Sequence, residues 1–417
     1  MSIAFGVALV ALAPFLQMTD MELRTGRVEN GQVVLRLRAV GETPAASQIP
    51  VWDGETPLEV VSVRRDFGPP TIIFVVDASG SAGRILPGIA RACQAMVEGW
   101  PEAEAGLVAF GSMARVVVHP TTDRQALRQG FESLVPGGQN GVTTGVGIAL
   151  GLASGRPRAA LVVITDGLDS IGPVGLKTVL DAATVAATPI FCLGIGNRVD
   201  QALLSELAGA TGGSARAVAT PPEAAEELRR LAETLRVSDL EVRAVLPFSS
   251  PLTHHEISVG PQPNSAETLS LVGPWPAGRA QLLVPVVPPQ TAPVDSLIVA
   301  RVDGTPIACG LAGEELLVPA GSLAVQVCVS PPADEVELFL TPGERRALAP
   351  LVLAALETRG PGLSRPDGTP AWLEYESSTV LGFSVGETLA LRPAEVQVTY
   401  DTCLLYTSDA ADDLLCV

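Results

Sequence analysis

The stretch TIIFVVDASGSAGR, residues 71–84, runs a series of apolar residues into Asp77, Ser79 and Ser81, spaced two apart. In an extended segment residues i, i+2 and i+4 point the same way, so a carboxylate and two hydroxyls emerge on one side as the strand ends. Two other stretches bring oxygens of the same kind. LVVITDGLDS, residues 161–170, ends a second apolar run in Asp166. NGVTTGVGIAL, residues 140–150, carries Thr143 and Thr144 at the start of a predicted helix, where Gly141, Gly145 and Gly147 permit close backbone approach. Carboxylates and hydroxyls are hard donors that select Mg2+, Mn2+ or Ca2+ over zinc or copper. Several are neutral, so a bound ion would keep much of its charge, and Mg2+ commonly retains positions for outside oxygens. The residues predict a cation site that is incomplete until an outside carboxylate, such as one on a protein partner, docks.

Positioning these groups requires strands that end together. Apolar strand-like runs fall at 71–76, 106–110, 115–119, 160–164 and 189–194. Helical patterns lie between and after them, at about 84–99, 123–134, 146–154, 174–187, 200–210 and 222–236. Apolar strands alternating with amphipathic helices predict an α/β fold, a doubly wound, mostly parallel sheet covered on both faces. In such sheets ligands bind outside the carboxyl ends of the strands, where Asp77 and Asp166 lie.

The flanks read differently. VVLRLRAV (33–40) and LEVVSVRR (58–65) alternate with a two-residue period, as do LEVRAVL (240–246) and HEISV (255–259) after the helices end. These flanks either pair with each other, which would make the α/β domain an insertion, or form separate β elements. VPVVPPQTAPV (284–294) reads as a proline-rich linker. DGTP recurs at 303–306 and 367–370, followed by LVPAGSLAVQVCV and LRPAEVQVTY, which predicts two β-sandwich-like repeats. The expected organisation is a signal-peptide-like segment 1–17, a β region 18–68, the α/β domain 69–236, a β region 237–290, repeats over 291–345 and 346–402, and a tail 403–417.

DASGS, the TT of GVTTGVGIAL and TDG together resemble the metal-ion-dependent adhesion site of the von Willebrand factor A domain family. The resemblance covers about residues 69–236 and includes LVAFGS and GIGNRVDQALLSELAGATGG. It implies direct metal contact from Ser79, Ser81 and a threonine, with Asp77 and Asp166 acting mostly through water. Motif spacing back from Ala149 and Leu150 assigns the threonine as Thr144. The family's usual Gly-Gly-Thr is Val142-Thr143-Thr144 here, which leaves Thr143 open. The cofactor implied is Mg2+, with Mn2+ or Ca2+ as alternatives. The function implied is protein binding or adhesion without catalysis, the partner being a protein with an exposed acidic residue. The β–A–β layout is similar to exported bacterial members of the family, which implies a secreted or cell-surface protein.

Composition narrows the alternatives. The formal net charge of −18 argues against nucleic-acid binding, which needs clustered positive charge. Apolar residues make up 47% of the 417, ample for a core. MSIAFGVALVALAPFLQ resembles a signal-peptide core, although it lacks a basic start. The final CLLYTSDAADDLLCV resembles a translated sequencing adapter; on that reading the natural protein continues past Thr402, where a membrane or cell-wall anchor would stand. Setting the tail aside leaves Cys93, Cys192, Cys309 and Cys328, none in a CxxC pair. The first two are expected in the core, and a disulfide between the last two stays open. His119, His254 and His255 are expected at the surface or in hairpins, which removes most Ser–His and Cys–His schemes. Two rival readings remain. IFVVDASGSAGR also resembles the A domain of the magnesium chelatase D-type subunit, part of an intracellular ATP-driven complex, but this chain has no GxxxxGK[ST]. A metal-assisted hydrolase would have Asp169 as its only spare carboxylate in the motif.

Overall fold

The computed structural model describes residues 21–400 except 30, 40–42, 66–68, 157, 170–171, 237–239, 247–252, 264–267, 274–277 and 358–369. The signal-peptide-like segment, the 403–417 tail and most of the second DGTP lie outside the described residues. The chain begins with strands β1 (Met21–Glu29), β2 (Gln32–Ala39), β3 (Val51–Asp53) and β4 (Thr56–Arg65). The α/β segment follows with β5 (Thr71–Asp77), α1 (Leu86–Glu98), β6 (Glu104–Phe110), β7 (Ala114–Thr121), α2 (Arg124–Glu132) and α3 (Val142–Ala153). It continues with β8 (Ala159–Thr165), α4 (Leu176–Ala186), β9 (Ile190–Ile195), α5 (Gln201–Gly209), β10 (Ser214–Val218) and α6 (Pro221–Arg236). The chain then returns to strands with β11 (Leu240–Val245), β12 (Thr253–Val259) and β13 (Thr268–Gly273).

Two units result, Met1–Phe67 with Ser238–Pro274, and Gly68–Val237 with Trp275–Val417. In the first, a seven-stranded sheet runs β1-β2-β11-β4-β3-β12-β13. β11 pairs antiparallel with both β2 and β4, and β12 with β3, so strands from before and after the α/β segment share one sheet. Period-two alternation turns Val33, Leu35 and Leu37 into a core with Leu240, Val242 and Ala244. His255, expected at the surface or in a hairpin, lies in the antiparallel β12–β13 pair but not at the surface. It is 2% exposed, with Nδ1 2.5 Å from Asp53 Oδ2, because its register on β12 turns it inward. His119 is exposed as expected.

The α/β sheet of the second unit has the order β10-β9-β8-β5-β6-β7, parallel except for β7 against β6. Alternation along β5 divides its side chains between two layers. Ile72, Phe74 and Val76 pack with Leu86, Ile89 and Cys93 of α1 and Leu228 of α6. Ile73 and Val75 face Val146 and Ile148 of α3 and Val179 of α4. The predicted helix at 146–154 starts earlier, at Val142, which brings Thr143 and Thr144 inside its first turn. β10 is not among the predicted strands because its side chains alternate only between half-buried and exposed.

The remaining strands are β14 (Arg279–Leu283), β15 (Val286–Val287), β16 (Leu297–Val302), β17 (Thr305–Leu311), β18 (Glu315–Pro319), β19 (Gly321–Val327) and β20 (Val336–Leu340). After them come β21 (Arg345–Ala347), β22 (Leu351–Val352), β23 (Ala354–Glu357), β24 (Pro370–Tyr375), β25 (Ser378–Ser384), β26 (Thr388–Leu391) and β27 (Gln397–Tyr400). They build small sheets, including β17-β16-β19-β20 and β25-β24-β27. The expected boundaries shift here. β14 pairs with β18 and β21, and β15 with β22, so residues 279–287 belong with the strands that follow them. Nor is 284–294 a linker. Val284, Ala292 and Val294 are buried in the core of these sheets, and a turn closed by Ala292 N–H on Pro289 O links β15 to the buried residues that follow. Cys309 and Cys328 are free and buried. β16 lies between β17, which carries Cys309, and β19, after which Cys328 follows. Two strand spacings, about 9–10 Å, exceed disulfide reach.

The β17-β16-β19-β20 sheet covers α3 from the side opposite the α/β sheet. Leu297, Val299, Cys309, Leu311 and Cys328 share a core with α3, and every residue of α3 is buried. Such burial accounts for a helix that is apolar nearly all round. Its glycines make room: a Cβ on Gly151 would lie 2.9 Å from Leu311 Cδ2, and one on Gly147 3.3 Å from Leu297 Cδ2.

Candidate metal site

The carboxyl ends of β5 and β8 lie side by side, since Val76 pairs with Ile164. Asp77, the last residue of β5, is 3% exposed. Its Oδ1 accepts from Ser79 N–H at 2.8 Å, which folds the chain after the strand into a tight turn. Its Oδ2 accepts from Asn140 Nδ2 at 2.6 Å, Thr165 Oγ1 at 2.7 Å and Asp166 N–H at 3.3 Å. Asp77 therefore ties the β5 end, the β8 end and the loop before α3 into one assembly. Burial pushes its carboxyl above the usual carboxylate value. Hydrogen bonds from Ser79 and Thr165 oppose that shift, and the Asp166 charge adds to it.

Beyond Asp77 the hydroxyls and the second carboxylate come together. Ser79 Oγ and Ser81 Oγ are 3.2 Å apart, and Ser81 Oγ donates to Asp166 Oδ1 at 2.8 Å. Ser79 is buried, Ser81 exposed and Asp166 half-buried, so the chain of oxygens leads from the core to solvent. Thr143 and Thr144 part company. Thr143 Oγ1 donates to Asp169 Oδ2 at 2.9 Å, and its N–H points to Asp169 Oδ1 at 3.3 Å. Thr144 is 3% exposed, and its Oγ1 has no hydrogen-bond partner among the described residues. It is not bonded to Ser79, Ser81 or Asp166. An α-helical threonine ordinarily returns its hydroxyl to a backbone carbonyl, and a buried hydroxyl left without partners costs about 1–3 kcal/mol.

These residues fit a hard divalent cation. Oxygens bound at right angles to one ion at about 2.1 Å lie about 3.0 Å from each other, near the Ser79–Ser81 and Ser81–Asp166 separations. The donor set is oxygen only, and the unpartnered Thr144 hydroxyl is the kind of group a ligand would satisfy. Two contributors escaped the sequence. Asn140 and Thr165 hold Asp77, and Asn140 also donates to Thr165 Oγ1 at 2.9 Å. A single asparagine in a glycine-rich loop carries no periodic signal, whereas Thr165 could have been noticed as the neighbour of Asp166.

The site opens into a cleft of about 800 Å³ lined by Ser79, Ser81, Asp166 and Asp169 together with Arg84 and Arg198. The C-terminal strands reach its edge through Pro370 and Ser384. Glu387 fastens them there. Its Oε2 accepts from Ser112 Oγ at 2.8 Å and from Ser384 N–H at 2.6 Å, and Ser112 Oγ accepts from Gln139 N–H at 2.8 Å. Gln139 Nε2 donates to Phe383 O at 2.8 Å. The next residue along this loop is Asn140.

Residues 72–168 match the von Willebrand factor type A domain family, so the chain carries a domain of that family. The fold agrees, with a mixed, mostly parallel sheet between helices and additional sandwich-like sheets. A UPF0353 protein of Mycolicibacterium paratuberculosis (strain ATCC BAA-968 / K-10) is 32% identical over 111 residues, or 23% of this chain and 33% of that protein. The chain thus spans 33% of the length of that curated relative. Among solved structures, a von Willebrand factor type A protein from Catenulispora acidiphila has 14% identity over 78% of this chain and 73% of its own, with a TM-score of 0.37. BatB from Bacteroides thetaiotaomicron has 19% identity over 40% of this chain and 98% of its own, with a TM-score of 0.34. A mussel byssus protein, proximal thread matrix protein 1 with a zinc-occupied MIDAS motif, has 17% identity over 42% of this chain and 49% of its own, with a TM-score of 0.33.

Proposed function

We propose that this protein binds a partner protein at a divalent-cation-dependent site, and that the partner presents an acidic residue there. Ser79, Ser81, Thr144 and Asp166 are the residues that would hold the ion, with Asp77 organising them. The observation that carries this reading is the linked Ser79–Ser81–Asp166 oxygen chain at the strand ends, together with a Thr144 hydroxyl, in the first turn of α3, that is buried and has no partner among the described residues. A bound Mg2+, Mn2+ or Ca2+ would supply a Lewis-acidic position for an outside carboxylate.

The chain's own residues define the rest. Asp77 commits its lone pairs to Ser79, Asn140, Thr165 and Asp166, so its role is to fix the loops. Neutral serine and threonine hydroxyls leave positive charge for the partner to neutralise. We further propose a secreted or cell-surface location, supported by the apolar N-terminal segment MSIAFGVALVALAPFLQ. Among the described residues no helix is long and apolar enough to cross a membrane.

Calorimetric titration of EDTA-stripped protein with Mg2+ tests the site. One-to-one binding that Ser79→Ala abolishes is expected; equal heats from wild type and variant would exclude these ligands. Cell fractionation tests the location, and recovery of the full chain in the cytoplasm would refute it.

A further inference from the structure

The cleft around the candidate metal site contains cations that the oxygen cluster does not use. Arg84 closes the short helical turn Ser81–Arg84, three residues beyond the Ser81 hydroxyl. Arg198 stands in the loop after β9, and β9 pairs in parallel with β8 so that Gly194 lies opposite Thr165, next to Asp166. Both arginines are exposed and line the cleft, and neither makes an ion pair or hydrogen bond with any described residue. Elsewhere in the second unit arginines are commonly paired, as Arg229 and Arg230 are with Glu226, Glu227 and Glu233. The nearby carboxylates are engaged instead with hydroxyls, Asp166 with Ser81 and Asp169 with Thr143.

We infer that Arg84 and Arg198 form an anion subsite beside the metal site, and that the partner's recognition segment is a peptide carrying a second acidic residue. The inference rests on the cation-dependent docking reading above and adds the chemistry of the partner to it. With a divalent ion in place, the ion and two guanidiniums outweigh Asp77, Asp166 and Asp169, a local positive field on a chain whose formal charge is −18. Guanidinium matches carboxylate bidentately, so each arginine favours a planar acid group over a bare halide or hydroxyl. Size points the same way. About 800 Å³ lies within the range that holds whole ligands of roughly 300–1,000 Å³, more than one carboxylate side chain fills. Ile85, Ile195 and Pro370 line the walls, and Leu168 beside them is 59% exposed, which suits a peptide with apolar residues between its acids.

Selection of random displayed peptides on the full-length protein in Mg2+ tests the subsite. Wild type is expected to enrich peptides with two acidic residues, and the Arg84→Ala/Arg198→Ala protein peptides with one. Affinity for a selected two-acid peptide should fall about five-fold per arginine removed, the upper end for an exposed pair. Arg84→Glu/Arg198→Glu should lose it further, and matching thermal midpoints verify that each variant folds. Enrichment of single-acid peptides by wild type, or equal affinity in the alanine variant, overturns the subsite while leaving cation-dependent docking standing. Peptides that bind equally in EDTA or to Ser79→Ala overturn the docking reading itself. A selection that enriches nothing counts against both.

Discussion

Replacing Thr144 by valine changes one atom group and should move stability in opposite directions with and without metal. Valine keeps the branched shape and exchanges Oγ1 for a methyl. Oγ1 is buried and has no partner among the described residues, and it is close enough to Gly172 that a Cβ there would sit 2.5 Å from it. An unsatisfied buried hydroxyl costs about 1–3 kcal/mol, and the incoming methyl adds favourable burial. Thr144→Val in EDTA should therefore be more stable than wild type by about 1–2 kcal/mol. For a domain of this size that is a rise in melting temperature of roughly 4 °C.

Adding Mg2+ reverses the order. An ion at about a hundred times its dissociation constant stabilises the native state by about 2.7 kcal/mol. Wild type should gain that increment and the valine variant little of it. Thr143→Val is the control. Its hydroxyl already donates to Asp169 at 2.9 Å, so its loss should cost about 1 kcal/mol whether or not metal is present. Differential scanning calorimetry of these proteins in EDTA and in Mg2+ reads all of this. If Thr144→Val is destabilised in EDTA, or responds to Mg2+ as wild type does, the assignment of Thr144 as a ligand is refuted. If Thr143→Val loses the Mg2+ response, the ligand is Thr143.

Two further perturbations probe how the site is supported. Burial raises the Glu387 carboxyl, against hydrogen bonds from Ser384 and Ser112, so the folded state keeps its proton to higher pH than the unfolded chain does. Between the ordinary and the raised value the native protein binds more protons, so stability should fall as pH rises through that window and Glu387 should cease to contribute above it. Glu387→Gln should flatten that part of the urea-denaturation profile, and an unchanged slope would show that another group titrates. Gly151→Ala places a Cβ 2.9 Å from Leu311 Cδ2 and 3.1 Å from the Gly310 backbone, which should cost about 1–3 kcal/mol through overpacking. A neutral result in chemical denaturation would mean that the sheet over α3 yields easily.

The strand ends were legible in the sequence because long apolar runs that stop at Asp77 and Asp166, with helical patterns between them, are what buried parallel strands require. The pairing of the flanking strands could be stated only as one of two alternatives, since period-two alternation shows which face is buried but not against which strand. What stayed hidden has physical causes of its own. α3 lacks an amphipathic stripe because both of its faces are covered, so the pattern put its start at about 146 when it begins at Val142. The segment 284–294 looked like a linker because prolines mask Val284 and Val294, which the structure buries. A Cys309–Cys328 disulfide had to stay open because strands close in sequence need not be neighbours in the sheet, and the β17-β16-β19 order separates them. Asn140 had no pattern at all, and only the assembled loops show it bridging Asp77 and Thr165.

The candidate site is also not the work of the A domain alone. Thr144 is presented by α3, and α3 shares one core with Leu297, Val299 and Leu311 of the C-terminal sheets as well as with β5, β6 and β8. The loop that supplies Asn140 is gripped through Gln139 by Phe383 and, through Ser112, by Glu387. Both connections come from far along the chain, Phe383 in β25 and Glu387 just before β26, and both reach Gln139, one residue from the Asn140 that holds Asp77. A helix buried on every side cannot shift its first turn without disturbing packing on both sheets, which makes the Thr144 position rigid. That rigidity brings dependence: changes in the C-terminal sheets should reach the metal affinity through α3 and the 137–140 loop. Titrating Mg2+ into Glu387→Gln is the direct reading. Affinity reduced by a few-fold, with Ser79 and Thr144 untouched, is the expected result, and wild-type affinity would show that the loop holds its shape without the C-terminal strands.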